Sequence, residues 1–372
     1  MRRRPTALPL VAACALASAC GEPSSPPLYR EVEITFRNPN DGIQLAGTMT
    51  LPDGTGPFAA VLLVVGSGPH NRDLQIGRHR PFFTLADHLS RHGVATVRYD
   101  KRGCGQSGGK YEPYDIENFV EDAVGGVSFL RTHEAIDPRR IGALGISQGG
   151  LIVPIMATRS SDVGFVVLMA APGVWGKEFF CLSSVAIARA SGFGQQDFIR
   201  MQELYDEMWP LWTKATLSTS ETIEAIRLLQ EISRFMDAET RTLLHMDDID
   251  SYFEFMRSPH VLESLDHNPA YVLKQVQCPV LAINGGKDVQ VSAGENLAAI
   301  EHALHDGGNP SYEVAELDGL NHMFQQCRTG LPGEYLSSRE AIAPIALEMV
   351  TNWILSSTAL SREMDRRTRT HN

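Results

Sequence analysis

The chain has 372 residues, of which 43% are hydrophobic, so it is long enough to bury a large core. Acidic residues outnumber basic residues by 44 to 33, which gives a net charge of −11. This balance argues against a nucleic-acid partner and against binding to acidic membrane surfaces. Beyond residue 19, no apolar segment reaches the length that a membrane-spanning helix needs.

Residues 1–19 have the pattern of a signal peptide. Three arginines follow Met1, the apolar stretch at residues 7–19 is too short to cross a bilayer, and small residues precede Cys20. The pattern also resembles a bacterial lipobox, in which Cys20 becomes the lipidated first residue of the mature chain. Ordinary cleavage that leaves Cys20 unmodified is the alternative. We favour lipidation, because residues 20–30 then form a tether.

This N-terminus predicts an exported protein of the bacterial cell envelope, lipid-anchored at Cys20 or otherwise periplasmic or secreted. Removing residues 1–19 takes away three basic residues and no acidic ones, so the mature charge is 30 minus 44, or −14. Any membrane contact is expected only through the lipid. Four later cysteines allow three full disulfide pairings, and the sequence selects none: Cys104, Cys181, Cys278 and Cys327.

The first structural elements are predicted to be strands. Residues 31–36 alternate polar and apolar side chains, and residues 43–51 do so in part, which predicts an edge hairpin. Residues 58–65 form a continuous apolar run that is typical of a buried strand. Small residues follow it and allow backbone N–H groups to face a ligand. We predict the N–H of Gly68 as one donor of an oxyanion hole.

A glycine-rich loop at residues 103–108 follows the next predicted strand, residues 94–99. Its Gly-x-Gly-x-x-Gly pattern also occurs in dinucleotide-binding turns, which run directly from a strand into a helix. Here charged residues precede the glycines, and residues 109–114 separate them from the predicted helix. We therefore interpret the loop as structural, with Asp100 and Arg102 forming local hydrogen bonds beneath a site. No cofactor is expected.

The most informative motif is Gly-x-Ser-x-Gly at residues 145–149. It lies between an apolar run at residues 141–144 and a helix-like run at residues 150–156. A strand, a tight turn and a helix in this order predict a nucleophile elbow, which raises Ser147 above the carboxyl edge of the sheet. The backbone N–H of Gln148 is the second predicted oxyanion donor.

The sequence pattern changes after the apolar strand at residues 163–172. Strand signals vanish until residue 279, and helical stretches such as residues 195–209 and 222–235 take their place. We predict a helical cap over residues 173–276, inserted between core strands. Most of its aromatic side chains are expected to pack the cap, and two or three are expected to line an apolar pocket.

Two polar residues follow predicted strands near the end of the chain. Asp288 lies in the turn after a buried strand, and His322 lies in the loop after the strand at residues 312–317. The order Ser, Asp, His at strand ends predicts a triad, with Ser147 as nucleophile, His322 as general base and then acid, and Asp288 as its orienting carboxylate. Asp318 is a rival acid, but its position four residues before His322 favours a role in the turn. Asp288 has a structural alternative, as the cap of the next helix.

These motifs resemble the α/β-hydrolase superfamily, within it the bacterial esterases related to dienelactone hydrolase and acylaminoacyl-peptidase-like proteins. The resemblance covers roughly residues 58–150 and 275–355. It implies an α/β-hydrolase fold with a mostly parallel eight-stranded sheet, flanking helices and the triad at the carboxyl edge. One departure is that Gly66 and Ser67 stand where many relatives have His-Gly before the oxyanion residue.

With this resemblance, we assign the core to residues 31–172 and 277–358 and a disordered tail to residues 359–372. The main functional hypothesis is a serine hydrolase that cleaves carboxylic esters of small to medium hydrophobic substrates. A peptidase or acylaminoacyl hydrolase and a thioesterase would use the same triad. A non-catalytic ligand-binding lipoprotein is the alternative from another class. No metal is expected, since the chain has neither a His-Glu-x-x-His run nor a close Cys/His cluster.

Overall fold

The computed structural model describes residues 28–112, 115–244, 246–265 and 267–369. The predicted signal peptide, Cys20 and most of the predicted tether lie outside these residues. Eight strands form the centre of the molecule: β1 (Tyr29–Arg37), β2 (Gln44–Pro52), β3 (Phe58–Val64), β4 (Val94–Tyr99), β5 (Ile136–Ile146), β6 (Phe165–Met169), β7 (Val280–Gly285) and β8 (Tyr312–Leu317).

The strands form one sheet in the order β1-β2-β4-β3-β5-β6-β7-β8. β1 pairs with β2 and β2 with β4 in antiparallel fashion, whereas every other neighbouring pair is parallel. The predicted edge hairpin is therefore confirmed, and so is the predicted mostly parallel sheet. Tyr29 and Arg30, which we expected in the tether, already pair with Pro52 and Leu51.

Helices cover both faces of the sheet, as a largely parallel sheet requires. The helices of the described residues are α1 (Pro81–Arg91), α2 (Ile116–Thr132), α3 (Gly149–Arg159), α4 (Lys177–Ala190), α5 (Gln195–Thr213), α6 (Thr219–Ser233), α7 (Ala238–Leu243), α8 (Ile249–Met256), α9 (Pro259–Ser264), α10 (Pro269–Leu273), α11 (Ala293–Asp306) and α12 (Pro344–Arg369), with a 3-10 turn at Pro332–Glu334. None of them is long and apolar enough to cross a membrane.

The sheet divides the core of the protein into two apolar layers. Successive side chains of a strand point to opposite faces, so in β3 the side chains of Leu62 and Val64 pack with α2, α3 and α11. Val61 and Leu63 pack with α1 and α12 on the other face. Because both faces of the central strands are buried, their sequences are continuously apolar, and this is why they were recognisable without the structure.

The segment between β6 and β7 is helical throughout its described residues, from α4 to α10. Helices α4, α5, α6 and α8 enclose a third apolar cluster of their own, as expected for a cap. The predicted end of the cap at residue 276 is too late, however. Leu273 at the end of α10 and Val276 after it pack in the core layer that contains α11, because their apolar side chains meet the sheet rather than the cap.

The predicted disordered tail is wrong for residues 359–369, which continue α12 to Arg369. These residues include no glycine or proline that would end a helix, and several of them have high helix propensity. Residues 370–372 lie outside the described part. The four cysteines whose pairing the sequence left open are all free thiols in the structure.

The two-layer core makes a direct prediction about stability. Leu62 is fully buried under α2, where Gly126 approaches its side chain closely. Leu62→Ala should lower the free energy of unfolding by about 2–5 kcal/mol, because it removes apolar contacts and leaves a cavity. Ile345→Ala, at a site that is 56% exposed, should change it by less than about 0.5 kcal/mol. Urea denaturation of both variants checks the prediction, and equal losses would contradict it.

Candidate active site

The predicted elbow is present directly after β5. Ser147 has φ 53°, one of the few positive values among non-glycine residues of the described chain. This left-handed conformation costs about 1–3 kcal/mol and persists only where the surroundings impose it. The N–H of Ser147 donates to the carbonyl of Met169 at the end of β6, at 2.9 Å. Ser147 is therefore held at the carboxyl edge of the sheet, where its side chain is partly exposed.

The glycines of the motif are required by close backbone contacts around the turn. A Cβ on Gly145 would lie 2.1 Å from the carbonyl oxygen of Gly149. A Cβ on Gly149 would lie 2.2 Å from the carbonyl oxygen of Val64 in β3. Both distances are far below van der Waals contact, so strand β5, helix α3 and strand β3 can approach this closely only with glycine at both positions.

The structure brings Asp288 and His322 together. Nδ1 of His322 lies 2.7 Å from Oδ2 of Asp288, and both side chains are buried. Because an ionised carboxylate only accepts hydrogen bonds, Nδ1 carries the proton and Nε2 is left with a free lone pair. The other oxygen of Asp288 accepts from the backbone N–H groups of Gln290 and Val291, at 2.8 and 2.9 Å.

The loop of His322 is fixed by its neighbour. The side-chain oxygen of Asn321, which is fully buried, accepts from the backbone N–H groups of Met323 and Gln325, both at 3.0 Å. The rival acid Asp318 is exposed. The carboxylate that binds His322 is therefore that of Asp288 and not that of Asp318. The N-cap of α11 is Ser292, so Asp288 is not the N-cap of this helix.

Ser147 lies at the same edge of the sheet as this pair, since it follows β5 while Asp288 and His322 follow β7 and β8. Within the described parts of the chain, the side chain of Ser147 makes no hydrogen bond, so the direct contact found is the one between Asp288 and His322. The same residues contain no group of three or more His, Cys, Asp or Glu side chains that could hold a metal ion.

Within the described residues, one of the two predicted oxyanion donors is without a hydrogen-bond acceptor, whereas the other has one. The N–H of Gly68 donates to the hydroxyl of Tyr111 at 3.1 Å, so the prediction of Gly68 is not supported. Gly66 comes nearer to the serine, since a Cβ built on it would lie 3.1 Å from Cβ of Ser147. In the part of the chain that the structure covers, neither the N–H of Ser67 nor that of Gln148 has an acceptor.

A lysine that the sequence analysis left without a role lies beneath these two segments. Nζ of Lys101 donates to the carbonyl of Gly66 and to Oε1 of Gln148, both at 2.9 Å. Burial lowers the pKa of Lys101 to about 7. The available signal in the sequence was a lysine two residues after a fully buried strand, at the edge of the sheet where the other loops meet.

The glycine-rich loop is structural, as interpreted from the sequence. Gly105 lies against the carboxylate of Asp100, which accepts from the side chain and N–H of Arg72 and from the N–H of Gln106. Burial acts to raise the pKa of Asp100, but these hydrogen bonds outweigh it, and the pKa is lowered. Arg102 binds the buried carboxylate of Asp122. Both side chains therefore brace the loop under the site.

Comparison with known proteins agrees with this geometry. A model of the alpha/beta hydrolase family matches residues 61–329, well over half of the chain. Esterase EstD of Thermotoga maritima is 28% identical over 302 residues, which are 80% of this chain and 61% of EstD. The chain thus spans about three fifths of the length of that relative.

Two further proteins are similar to this chain over different shares of its length. Thiohydrolase aneE of Aspergillus aculeatus is 32% identical over 124 residues, 33% of this chain and 35% of its own. A structure of DcsB in complex with its substrate analogue superposes with a TM-score of 0.52 at 18% identity, covering 88% of this chain and 99% of the other. That last likeness shows the fold alone.

The central sheet, the elbow at Ser147 and the family match lead to one conclusion: the chain belongs to the alpha/beta hydrolase family. The fold that the sequence analysis expected is thereby confirmed.

The packing of the elbow predicts that two glycines, each in the first turn of a helix, differ in their tolerance of alanine. Gly149→Ala should lower the free energy of unfolding by about 3 kcal/mol or prevent folding, because the new Cβ collides with the carbonyl of Val64. Gly294→Ala in α11 is the matched control, since its Cβ would meet nothing within 4 Å. Thermal denaturation followed by circular dichroism distinguishes them. Equal melting temperatures for the two variants would contradict the described packing.

Proposed function

We propose that this protein is a serine hydrolase that cleaves carboxylic esters of small to medium hydrophobic substrates through an acyl-enzyme. Ser147 is the nucleophile, His322 the general base and then acid, and Asp288 the carboxylate that orients the imidazole. The observation that carries the proposal is the buried 2.7 Å contact between His322 Nδ1 and Asp288, at the sheet edge where Ser147 occupies a left-handed turn.

The chemistry follows from the free lone pair on Nε2 of His322. As the oxygen of Ser147 attacks the ester carbonyl, the imidazole takes its proton, and Asp288 stabilises the resulting imidazolium. The tetrahedral intermediate collapses, the alcohol leaves with that proton, and the acyl group stays on Ser147. Water then attacks the acyl-enzyme by the same route, which releases the carboxylic acid and restores the serine.

Two backbone donors are proposed for the oxyanion of the tetrahedral intermediate. These are the N–H of Gln148, as predicted from the sequence, and the N–H of Ser67, which replaces that of Gly68. Their support is that both lack an acceptor within the described residues and that the backbone at Gly66 adjoins Ser147. One such donor contributes roughly 3–4 kcal/mol to lowering the barrier.

The aromatic side chains of the cap favour a hydrophobic substrate. Five aromatic side chains of the cap form a continuous cluster with neighbouring ring centroids 4.9–6.5 Å apart: Trp175, Phe179, Phe180, Trp209 and Trp212. Helix α4, which carries two of them, binds the loop of the triad acid, since the hydroxyl of Ser183 donates to the carbonyl of Val289 at 3.3 Å. An apolar acyl or alcohol group bound under this cap would be shielded from water.

Thioester hydrolysis is the second candidate. It is favoured by the similarity of one third of the chain to thiohydrolase aneE, and it needs the same nucleophile, base and oxyanion donors. A thiolate is a better leaving group than an alkoxide, so a triad that hydrolyses esters is chemically competent for thioesters. The two substrate classes therefore have to be compared directly on the same preparation.

Hydrolysis of p-nitrophenyl esters from acetate to decanoate, by the chain from Gly21 onward, tests the proposal. Ser147→Ala should lower kcat by about 10⁵-fold or more, because no other group replaces the nucleophile. Asp288→Asn should lower it by about 10⁴-fold, since the amide favours the wrong tautomer of His322. The chain-length optimum measures the size of the pocket, and the corresponding acyl thioesters, assayed in parallel, decide between the two candidates.

Asp318→Asn is the matched control for the acid, because Asp318 is exposed and lies in the same loop as the base. Its kcat should stay within about twofold of wild type. If Ser147→Ala keeps its activity, or folded wild-type protein hydrolyses neither esters nor thioesters, the proposed function is wrong.

Export and lipidation are proposed from the N-terminal sequence alone. Expression of the full chain in a bacterial host should place the protein in the membrane fraction, and Cys20→Ala should release it, because a lipid chain on Cys20 would be the anchor. Mass spectrometry of the mature N-terminus provides the measurement. An unmodified Cys20 in the membrane-bound protein would contradict lipidation.

A further inference from the structure

Lys101 is a buried amine that the proposed mechanism does not use. It is 3% exposed and lies two residues after the end of β4, at the carboxyl edge of the sheet. A lysine is rarely buried unless its ammonium group has partners. Nζ has two hydrogen bonds, one to the carbonyl oxygen of Gly66 and one to Oε1 of Gln148, each 2.9 Å long. Both partners belong to the segments that carry the proposed oxyanion donors.

The first hydrogen bond acts on the peptide that joins Gly66 to Ser67. The carbonyl of Gly66 and the N–H of Ser67 belong to the same planar, trans amide, so they point in opposite directions. With its oxygen bound to Lys101, this amide directs its N–H to the side away from the lysine. A donor bound to the carbonyl oxygen also polarises the amide and strengthens its N–H as a donor.

The second hydrogen bond holds the side chain of Gln148, whose backbone N–H is the other proposed donor. Gln148 is 3% exposed, and its Nε2 has no partner within the described residues. The bond to Lys101 is thus the one polar contact found for this side chain. A single ammonium group therefore connects the two segments, one after β3 and one after β5, that the oxyanion hole requires.

The surroundings of Lys101 keep it in this position. Nζ lies 4.1 Å from the ring centroid of Phe119 and 5.5 Å from that of Tyr111. The hydroxyl of Tyr111 in turn accepts from the N–H of Gly68. Lys101 and Tyr111 therefore both bind the loop after β3. Burial lowers the pKa of Lys101 to about 7, while Cys104 and Asp122 act to raise it. The charged and the neutral amine can both donate the two hydrogen bonds.

We propose that Lys101 is a positioning residue of the oxyanion hole, which sets the amide of Ser67 and the residue after the nucleophile at the separation that the transition state needs. It contacts neither substrate nor reacting atoms and acts through Gly66 and Gln148. This inference rests on the proposed function, because it assumes that Ser147 forms a tetrahedral intermediate.

The experiment compares Lys101→Met with Lys274→Met on a p-nitrophenyl ester. Methionine keeps the length of the buried side chain but cannot donate, and Lys274 is an exposed control paired with Asp306. Lys101→Met should lower kcat on the order of tenfold, less than the loss of a donor itself, and should leave KM within about twofold. Lys274→Met should leave both constants unchanged.

An inhibitor pair separates positioning from a general loss of structure. An alkyl trifluoromethyl ketone forms a covalent adduct with the serine, in which the carbonyl oxygen becomes an oxyanion and the serine proton passes to the base. The matching trifluoromethyl alcohol binds the same pocket without an oxyanion. Lys101→Met should weaken the ketone in parallel with kcat/KM and leave the affinity of the alcohol within about twofold.

The outcomes are distinguishable. If wild type shows turnover that depends on Ser147, but Lys101→Met retains kcat and ketone affinity within twofold, only the inference about Lys101 is overturned. An equal loss of ketone and alcohol affinity also overturns it, because that pattern marks general damage to the site. If wild type shows no turnover that depends on Ser147, the proposed function fails and the inference fails with it.

Lys101→Met leaves the amide of Gln148 unpaired and so carries a risk of misfolding. The double variant Lys101→Met/Gln148→Met removes both buried polar partners while retaining the backbone N–H of residue 148. It should fold and show the same loss of kcat and of ketone affinity. If this variant has wild-type kcat, the proposed role of Lys101 is wrong whether or not the single variant folds.

Discussion

The left-handed turn at Ser147 is the constraint on which the rest of the site depends. A β-carbon in this conformation is strained, and the strain is sustained by strand β3, strand β5 and helix α3, which meet around the turn with glycine at both contact positions. The same close packing brings the loop after β3 next to the serine. Ser147 and the segment proposed to bind the oxyanion are therefore positioned by one set of backbone contacts.

Asp288 and His322 are positioned in a different way. Both follow parallel strands, so they reach the same edge of the sheet as Ser147, and local backbone hydrogen bonds then fix each of their loops. Asp288 accepts two N–H groups with one oxygen and binds His322 with the other. These three hydrogen bonds hold the carboxylate in place, and a fixed carboxylate holds the imidazole in one tautomer.

The cap and the buried lysine contact different parts of this site. Helix α4 binds the loop of Asp288, and Val289 packs in the apolar cluster of the cap. Lys101 binds the segments after β3 and β5 that carry the proposed oxyanion donors. The loop of Asp288 and the segments beside Ser147 are thus held by separate contacts.

The sequence by itself determined the fold class, the elbow, the order of the strand-end residues and the existence of the cap, because these depend on local apolar periodicity and on glycine spacing. Tertiary structure alone decided which N–H groups remain free, since Gly68 is engaged by Tyr111 from a distant loop. It also decided where the cap ends and that residues 359–369 continue a helix. The role of Lys101 could not follow from pattern, because hydrogen bonds between residues that are 35 and 47 positions apart leave no periodic signal in the chain.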